Sequence, residues 1–125
     1  MPITHIHSRP DGHSYFEELD YPFDLTAERS PLPVFESNQI RITHIREGHV
    51  QEFHNAPVRQ FVIVLSGRCE MTTDDGSAYR PGPSDIFFAN DMTGHGHTFR
   101  HIESPLQLLT IPVSDAFDFA QWIQG

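Results

Sequence analysis

The chain has 125 residues, the size of one domain, and its 38% hydrophobic and 20% charged residues are typical of a soluble globular protein. Its formal net charge of −9, without any cluster of Lys and Arg, argues against nucleic acid and membrane partners, because both need cationic side chains against phosphates. No apolar run approaches the roughly 20 residues that cross a bilayer, and residues 1–8 lack the pattern of a signal peptide. The single cysteine, Cys69, cannot form an intramolecular disulfide, so we expect a cytoplasmic, reducing location.

The first part of the chain, residues 1–35, differs in composition from the rest. It carries several prolines and a few aromatic residues: Pro2, Pro10, Pro22, Pro31, Pro33, Tyr15, Phe16, Tyr21 and Phe23. This composition predicts an extended arm that packs on residues 36–125 or on a partner subunit, rather than a second domain.

Strand-like segments begin after the arm. Residues 38–46 alternate apolar and polar side chains, which places Ile42 and His44 on one predicted face. Residues 50–54 continue the extended pattern. Residues 60–65 are apolar and β-branched, which is typical of a strand buried on both faces.

Turn signals then separate further strands. Residues 66–67 predict a turn before the alternating segment 68–73, and the Asp-Asp-Gly sequence at 74–76 predicts a hairpin, because this sequence tolerates positive φ. The later predicted strands are residues 86–89, 97–102 and 106–113. Ser114 is a suitable N-cap for a C-terminal helix reaching Gly125. Many short strands joined by Gly, Pro and Asp turns predict an all-β sandwich or barrel.

One spacing pattern carries chemistry. Five residues separate Gly48 from His54, three separate Ala56 from Gln60, and six separate Gln60 from Gly67. This arrangement resembles the first motif of the cupin superfamily, which reads G, five residues, H-x-H, three or four residues, E, six residues, G. Ala56 stands in place of the second His, and Gln60 stands in place of the Glu.

The second cupin motif has a similar counterpart further on. Gly76, the Pro-Gly turn at 81–82, the strand 85–88 and a His follow in the order of that motif. The loop at residues 90–96 is longer than in the usual pattern, which leaves both His95 and His97 as candidates. The sequence of residues 96–100 resembles the end of the motif and favours His97.

Three further segments are similar to a group of uncharacterised small cupins: an H-N-A-P-x-R-Q-like segment at 54–60, a T-G-x-G-H segment at 93–97, and a D-G-x-S-x-F-E segment at 11–17. The resemblance to cupins covers residues 40–113. It implies a double-stranded β-helix, or jelly-roll, barrel.

The resemblance implies a metal site inside that barrel. Alternate strand residues point inward, so His54, Gln60 and His97 from three strands can converge, with His95 as a possible further ligand. The ion is a divalent transition metal, with Zn, Cu, Fe, Mn and Ni not distinguished. We expect the pocket to be lined also by His44, Val62, Phe88 and Phe99.

Two functions are compatible with these residues. The first is a metal-binding cupin that acts on a small molecule, as a dioxygenase or isomerase-type enzyme. The second is a non-catalytic cupin that binds or senses a small molecule, in which the altered ligand set no longer supports turnover. The N-terminal arm and an exposed sheet edge predict a homodimer.

Overall fold

The computed structural model describes residues 1–124 and contains eight strands and one short helix. The elements are β1 (Pro2–Ser8), β2 (Ser14–Asp20), β3 (Arg41–Ile45), β4 (Val50–His54), β5 (Gln60–Thr72), β6 (Ala78–Tyr79), β7 (Ile86–Asn90), β8 (His97–Pro112) and α1 (Phe119–Ile123). The predicted all-β class is confirmed. Among the described residues, no helix is long and apolar enough to cross a membrane.

Two long strands, β5 and β8, organise the sheet. They pair antiparallel along most of their length, and each also pairs with different neighbours at its two ends. The beginning of β5 pairs with β7 and its end with β6, while the beginning of β8 pairs with β4 and its end with β3. Because both strands belong to two groups of neighbours, the sheet folds over on itself around an interior.

The turn predicted at residues 66–67 is instead a set of irregularities within one continuous strand. The register of β5 against β8 shifts between Val64 and Cys69, as at a β-bulge. Gly67 lies at this bend with φ 74°, and a Cβ atom there would be 2.4 Å from the carbonyl oxygen of Glu103. Only glycine fits this close approach. The two C-terminal strands predicted separately are likewise one strand, β8.

The N-terminal residues join the sheet directly. β1 and β2 form an antiparallel hairpin, and β1 pairs parallel with β7. Residues 21–40 contain no regular secondary structure, but Leu32 and Phe35 pack against the cluster around Trp122. Trp122 also donates a hydrogen bond from Nε1 to the carbonyl oxygen of Pro33, at 2.7 Å.

Apolar side chains form two cores on opposite faces of the sheet. The interior cluster consists of Ile6, Val62, Val64, Cys69, Met71, Phe87, Leu106 and Leu108. The second cluster consists of Ile3, Phe61, Phe88, Phe119, Trp122 and Ile123, and the helix covers it. Neighbours along a strand, such as Phe61 and Val62, alternate between the two cores, as the period of a strand requires.

The C-terminal helix is shorter than predicted. It begins after Asp118, whose side chain accepts a hydrogen bond from the backbone N–H of Gln121 at 3.1 Å. Ser114, the predicted N-cap, instead begins a turn, in which its carbonyl oxygen accepts from the N–H of Phe117. Gly125, the predicted end of the helix, lies outside the described residues.

Candidate functional site

A cavity of about 220 Å³ lies inside the folded sheet. Much of its wall is apolar and comes from the interior core: Ile45, Val62, Met71, Phe87, Phe99 and Leu108. Its polar side chains are His49, Gln51, His54, Gln60, His97 and Thr110. None of the lining residues in the described chain is Asp, Glu, Lys or Arg, so the polar groups facing the cavity are neutral amides, a hydroxyl and imidazoles.

His54 and His97 lie side by side in this cavity. They are register partners in the antiparallel pair of β4 and β8, and their ring centroids are 4.6 Å apart. Gly96 permits this approach: it has φ 76°, and a Cβ atom there would lie 2.0 Å from the carbonyl oxygen of His54. The close packing of the two strand ends therefore depends on a glycine beside His97.

One nitrogen of each ring is held by an acceptor. Nδ1 of His54 lies 2.8 Å from the carbonyl oxygen of Glu52, and Nδ1 of His97 lies 2.6 Å from Oδ2 of Asp91. A carbonyl and a carboxylate only accept hydrogen bonds, so each Nδ1 carries a proton. In the neutral ring the lone pair is then on Nε2, which is the tautomer that metal-binding histidines commonly use.

Asp91 supports the candidate site and was not predicted from the sequence. Its side chain is fully buried, and Oδ2 accepts from Ser14 Oγ at 2.9 Å as well as from His97, while Oδ1 has no partner among the described residues. Its backbone carbonyl accepts from the N–H of Ala56 at 3.1 Å. Asp91 therefore fixes the His97 ring and ties its loop to the segment after β4. The available signal was an acidic residue directly after a buried apolar strand.

Gln60 and Ala56 line the same cavity as the two histidines. Gln60 begins β5, and Ala56 is 5% exposed. The two positions at which the chain departs from the cupin ligand pattern thus face the histidines that retain it.

His49, Gln51 and Thr110 line the cavity without having been predicted. His49 and Gln51 share a face because they are two residues apart along the chain. A register irregularity between Gln51 and His54 then changes the alternation, so that Phe53 is 49% exposed and His54 faces inward. A strict period of two across this segment would place His49 and His54 on opposite faces.

Of the predicted pocket residues, Val62 and Phe99 line the cavity, but His44 and Phe88 do not. His44 is exposed, opposite Gln107 on β8, and its neighbour Ile45 lines the cavity instead. Phe88 belongs to the second cluster, around Trp122, and Phe87 belongs to the interior cluster and lines the cavity. Both corrections are shifts of one residue, which exchange the two faces of a strand.

His95 lies apart from the cavity. Its ring is exposed, and its Nδ1 makes a short contact with the Asp74 carboxylate.

Cys69 lies in the interior cluster, where burial raises the pKa of its thiol to about 12. A thiol with this pKa stays protonated near neutral pH, which agrees with a packing role.

No protein-family model matches the chain, and neither does any curated protein. Among solved structures, the chain is similar to the DMSP lyase DddQ from Ruegeria pomeroyi DSS-3, with 24% identity and a TM-score of 0.49 over 63% of this chain and 39% of that one. It is also similar to an RmlC-like cupin from Shewanella frigidimarina NCIMB 400, with 13% identity and a TM-score of 0.48 over 90% and 86% of the two chains. An RmlC-like cupin from Desulfovibrio desulfuricans has 13% identity and a TM-score of 0.43, over 89% and 81%. The chain spans well under half of the DMSP lyase, and these likenesses concern the course of the backbone alone.

Proposed function

We propose that the chain is a small protein of the cupin fold whose interior cavity binds a divalent transition metal and acts on a small organic anion. The proposed ligands are Nε2 of His54, Nε2 of His97 and the amide oxygen of Gln60. The proposal rests chiefly on one observation: both histidines lie in the cavity with Nδ1 held by an acceptor.

This arrangement fits a metal because the acceptors define the ring orientation in advance. A carboxylate or carbonyl behind a ligating histidine fixes its tautomer and raises the basicity of the opposite nitrogen. Asp91 and the Glu52 carbonyl do this for His97 and His54. The pair needs further donors, and Gln60 and His49 are the polar side chains of the wall that offer an oxygen and a nitrogen. The imidazole donors suit Zn, Cu, Fe and Ni better than the oxygen-loving Mg or Ca.

The charge of the cavity supports an anionic substrate. A divalent ion held by neutral donors keeps most of its positive charge, because no described residue of the cavity wall is a carboxylate and Asp91 lies behind the His97 ring. An organic anion, such as a carboxylate or an enolate, supplies the missing negative charge. The cavity of about 220 Å³ is smaller than the roughly 300–1,000 Å³ of drug-sized pockets, so the anion is small.

When bound, the metal supplies Lewis acidity or a binding site for O2, in keeping with a dioxygenase or isomerase-type enzyme. The chain's own residues orient the substrate. The apolar wall from Val62, Met71 and Phe99 excludes water around its carbon skeleton. The Thr110 hydroxyl donates to the carbonyl oxygen of Arg41 at 3.5 Å and is able to accept a hydrogen bond. His49 is the imidazole on the wall that can accept a proton when it is not a ligand.

Ala56 and Gln60 favour a second candidate, a non-catalytic cupin that binds or senses the same class of anion. An alanine cannot coordinate a metal, and an amide contributes no charge, so metal affinity is lower than with three His and one Glu. The described cavity wall also carries no carboxylate, so only an imidazole can act there as a general base.

The experiment measures metal content in untagged protein by mass spectrometry, before and after reconstitution with Zn, Cu, Fe, Mn and Ni. We expect about one equivalent of one metal per cavity, with the loss of that equivalent in His54→Ala and in His97→Ala. His44→Ala, which alters an exposed histidine, is the matched control and retains it. If these cavity substitutions leave metal content unchanged, the metal site proposed here is wrong.

Turnover separates the two candidates. The metal-loaded protein is incubated with small carboxylates and enolisable keto acids, with and without O2, and substrate loss is compared with the His54→Ala protein. Turnover that depends on His54 supports the enzyme. Saturable binding that depends on His54, without turnover, supports the binding protein.

The predicted homodimer is also part of this proposal. β3 is the last strand in the order of the sheet, and Ile42 on this edge is 69% exposed. Pairing of two copies along β3 covers such an edge. Light scattering is expected to give a dimer that Ile42→Lys converts to monomer, while Leu25→Lys, at a 92% exposed position outside the strands, leaves it intact. A monomeric wild-type protein contradicts this part.

A further inference from the structure

A second group of potential ligands lies on the outer surface, where three separate turns meet. His13 follows the turn between β1 and β2, Asp74 lies between β5 and β6, and His95 lies in the loop between β7 and β8. One ligand atom from each residue falls within 4.8 Å of the others. Residues up to 82 positions apart in the sequence therefore present two imidazoles and one carboxylate to a common point.

The contacts within this group are direct. Nδ1 of His13 lies 2.7 Å from Oδ1 of Asp74, and Nδ1 of His95 makes a short contact with Oδ2 of the same carboxylate. The two rings are close to perpendicular, at 86°, with centroids 4.9 Å apart. Both imidazoles thus direct the same type of nitrogen at one carboxylate from different sides.

We infer that Nδ1 of His13, Nδ1 of His95 and the carboxylate of Asp74 form a second divalent-metal site, suited to Zn²⁺ and separate from the cavity. Zinc sites of two nitrogens and one oxygen have bond lengths of about 2.0–2.2 Å in tetrahedral geometry, so neighbouring ligand atoms lie about 3.3 Å apart. The two separations between Nδ1 and the carboxylate are shorter than this, so the side chains rotate apart when an ion binds. Each ring then holds its proton on Nε2, and water completes the coordination.

The backbone that carries these ligands is fixed without a metal. The N–H of His95 donates to the carbonyl oxygen of Gly12 at 2.8 Å, and Ser8 Oγ donates to the carbonyl oxygen of Thr93 at 2.8 Å. The two glycine turns are in such close contact that a Cβ atom at Gly94 would lie 2.3 Å from the Gly12 oxygen. This preorganisation lowers the entropic cost of bringing the ligands together.

Local charge also favours a cation here. Asp11 and Asp75 stand beside His13 and add their negative charges to that of Asp74. Asp74 presents both of its carboxylate oxygens to the two rings, one to each Nδ1. In contrast to the cavity, this cluster contains a carboxylate, which offsets part of the charge of a divalent ion.

Such an ion acts as a clamp. It joins the hairpin of β1 and β2, the turn after β5, and the loop that leads into His97. Its effect is structural, because His13 and His95 face solvent and not the cavity. This inference does not depend on the cavity proposal, since it uses none of the same ligands.

The test isolates this group by removing the cavity histidines. Untagged His54→Ala/His97→Ala protein is titrated with ZnCl2 by calorimetry and with CoCl2 by visible absorption. We expect one saturable equivalent and an increase of the melting temperature with Zn²⁺. Asp74→Asn and His95→Gln each weaken binding at least tenfold in that background, and the matched control His44→Gln does not.

If the His54→Ala/His97→Ala variant fails to fold, Asp74→Asn and His95→Gln are tested one at a time in the otherwise wild-type chain. There, Asp74→Asn and His95→Gln each remove one bound equivalent of Co²⁺, whatever the cavity holds. Absence of saturable binding in the folded double variant, or binding unaffected by Asp74→Asn, overturns the inference.

Discussion

Oδ2 of Asp91 lies 2.6 Å from Nδ1 of His97, and both side chains are buried. The pair joins the loop before β8 to the strand that carries the candidate ligand. It also connects to β2, because the Ser14 hydroxyl donates to the same oxygen at 2.9 Å. The orientation of His97 is therefore set by the loop directly before its strand and by the distant strand β2, and not by its own strand alone.

Asp91→Asn is expected to weaken metal binding in the cavity by about 10–100-fold, because the neutral amide is a poorer acceptor behind His97. Calorimetric titration of the untagged protein with Zn²⁺ measures the change. Asp115→Asn, at an exposed carboxylate, is the control and leaves the affinity unchanged. Equal affinities for wild type and Asp91→Asn show that the pair does not support a ligand.

Gln60→Glu is expected to raise the affinity of the cavity for divalent metals at least tenfold. The substitution introduces a negative charge beside His54 and His97, and opposite charges interact strongly where water is excluded. Ala56→His adds a third imidazole to the same wall and acts in the same direction. Titrations with Zn²⁺, Ni²⁺ and Co²⁺ provide the affinities.

The control for Ala56→His is Ala78→His, which places a histidine at an exposed position of strand β6, outside the cavity. It is expected to leave the cavity affinity at the wild-type value. If neither Gln60→Glu nor Ala56→His changes affinity, then these positions do not face a metal.

Gly96→Ala is expected to destabilise the fold more than Gly76→Ala. Both glycines have positive φ, at 76° and 86°, so each alanine incurs backbone strain of about 1–3 kcal/mol. At Gly96 the added Cβ also meets the His54 carbonyl oxygen at 2.0 Å, whereas at Gly76 nothing lies within 4 Å. Urea unfolding at neutral pH gives the two free energies, and equal losses contradict the steric explanation.

Acid is expected to destabilise the protein through His5. Burial, followed by the charges of His7 and Arg59, lowers the pKa of His5 from 6.5 to about 3. Between pH 6.5 and about pH 3, His5 binds a proton in the unfolded chain but not in the folded protein. The contribution of His5 to the free energy of unfolding is therefore complete above pH 6.5 and declines as the pH falls below it. The slope from this group is at most about 1.4 kcal/mol per pH unit.

Urea unfolding between pH 4 and pH 7 measures that slope. His5→Gln is expected to flatten it, whatever the substitution does to stability at neutral pH. His44→Gln, at an exposed histidine, is the control and leaves the slope as in wild type. An unchanged slope in His5→Gln assigns the acid sensitivity to other groups.

Much of the fold was predictable because its signals are local. The hairpin at residues 74–76 and the buried strand beginning at Gln60 depend on turn chemistry and apolar runs, and both are present. The spacing of Gly48 and Gly67 around His54, which carried the resemblance to cupins, is also local, because both glycines have positive φ at a turn or a bend.

The remaining features depend on contacts between distant segments. Bulges near Gln51 and Gly67 shift the alternation of side chains, and no local signal distinguishes a bulge from a turn. The support from Asp91 became visible only with β2 and β8 in place. His95 and His97 are two residues apart, but φ 76° at Gly96 changes the chain direction between them. His95 therefore lies on the surface, whereas His97 lines the cavity.

The continuity of β5 and β8 has a consequence for motion. Each strand passes through both halves of the folded sheet, so the two walls of the cavity share their backbone and cannot swing apart like domains on a hinge. Access to His54 and His97 is therefore governed by the loop at residues 55–59, of which Ala56 and Pro57 line the cavity. Amide hydrogen exchange is accordingly expected to be slower in the two shared strands than in this loop, past which a small molecule enters and leaves without any opening of the barrel.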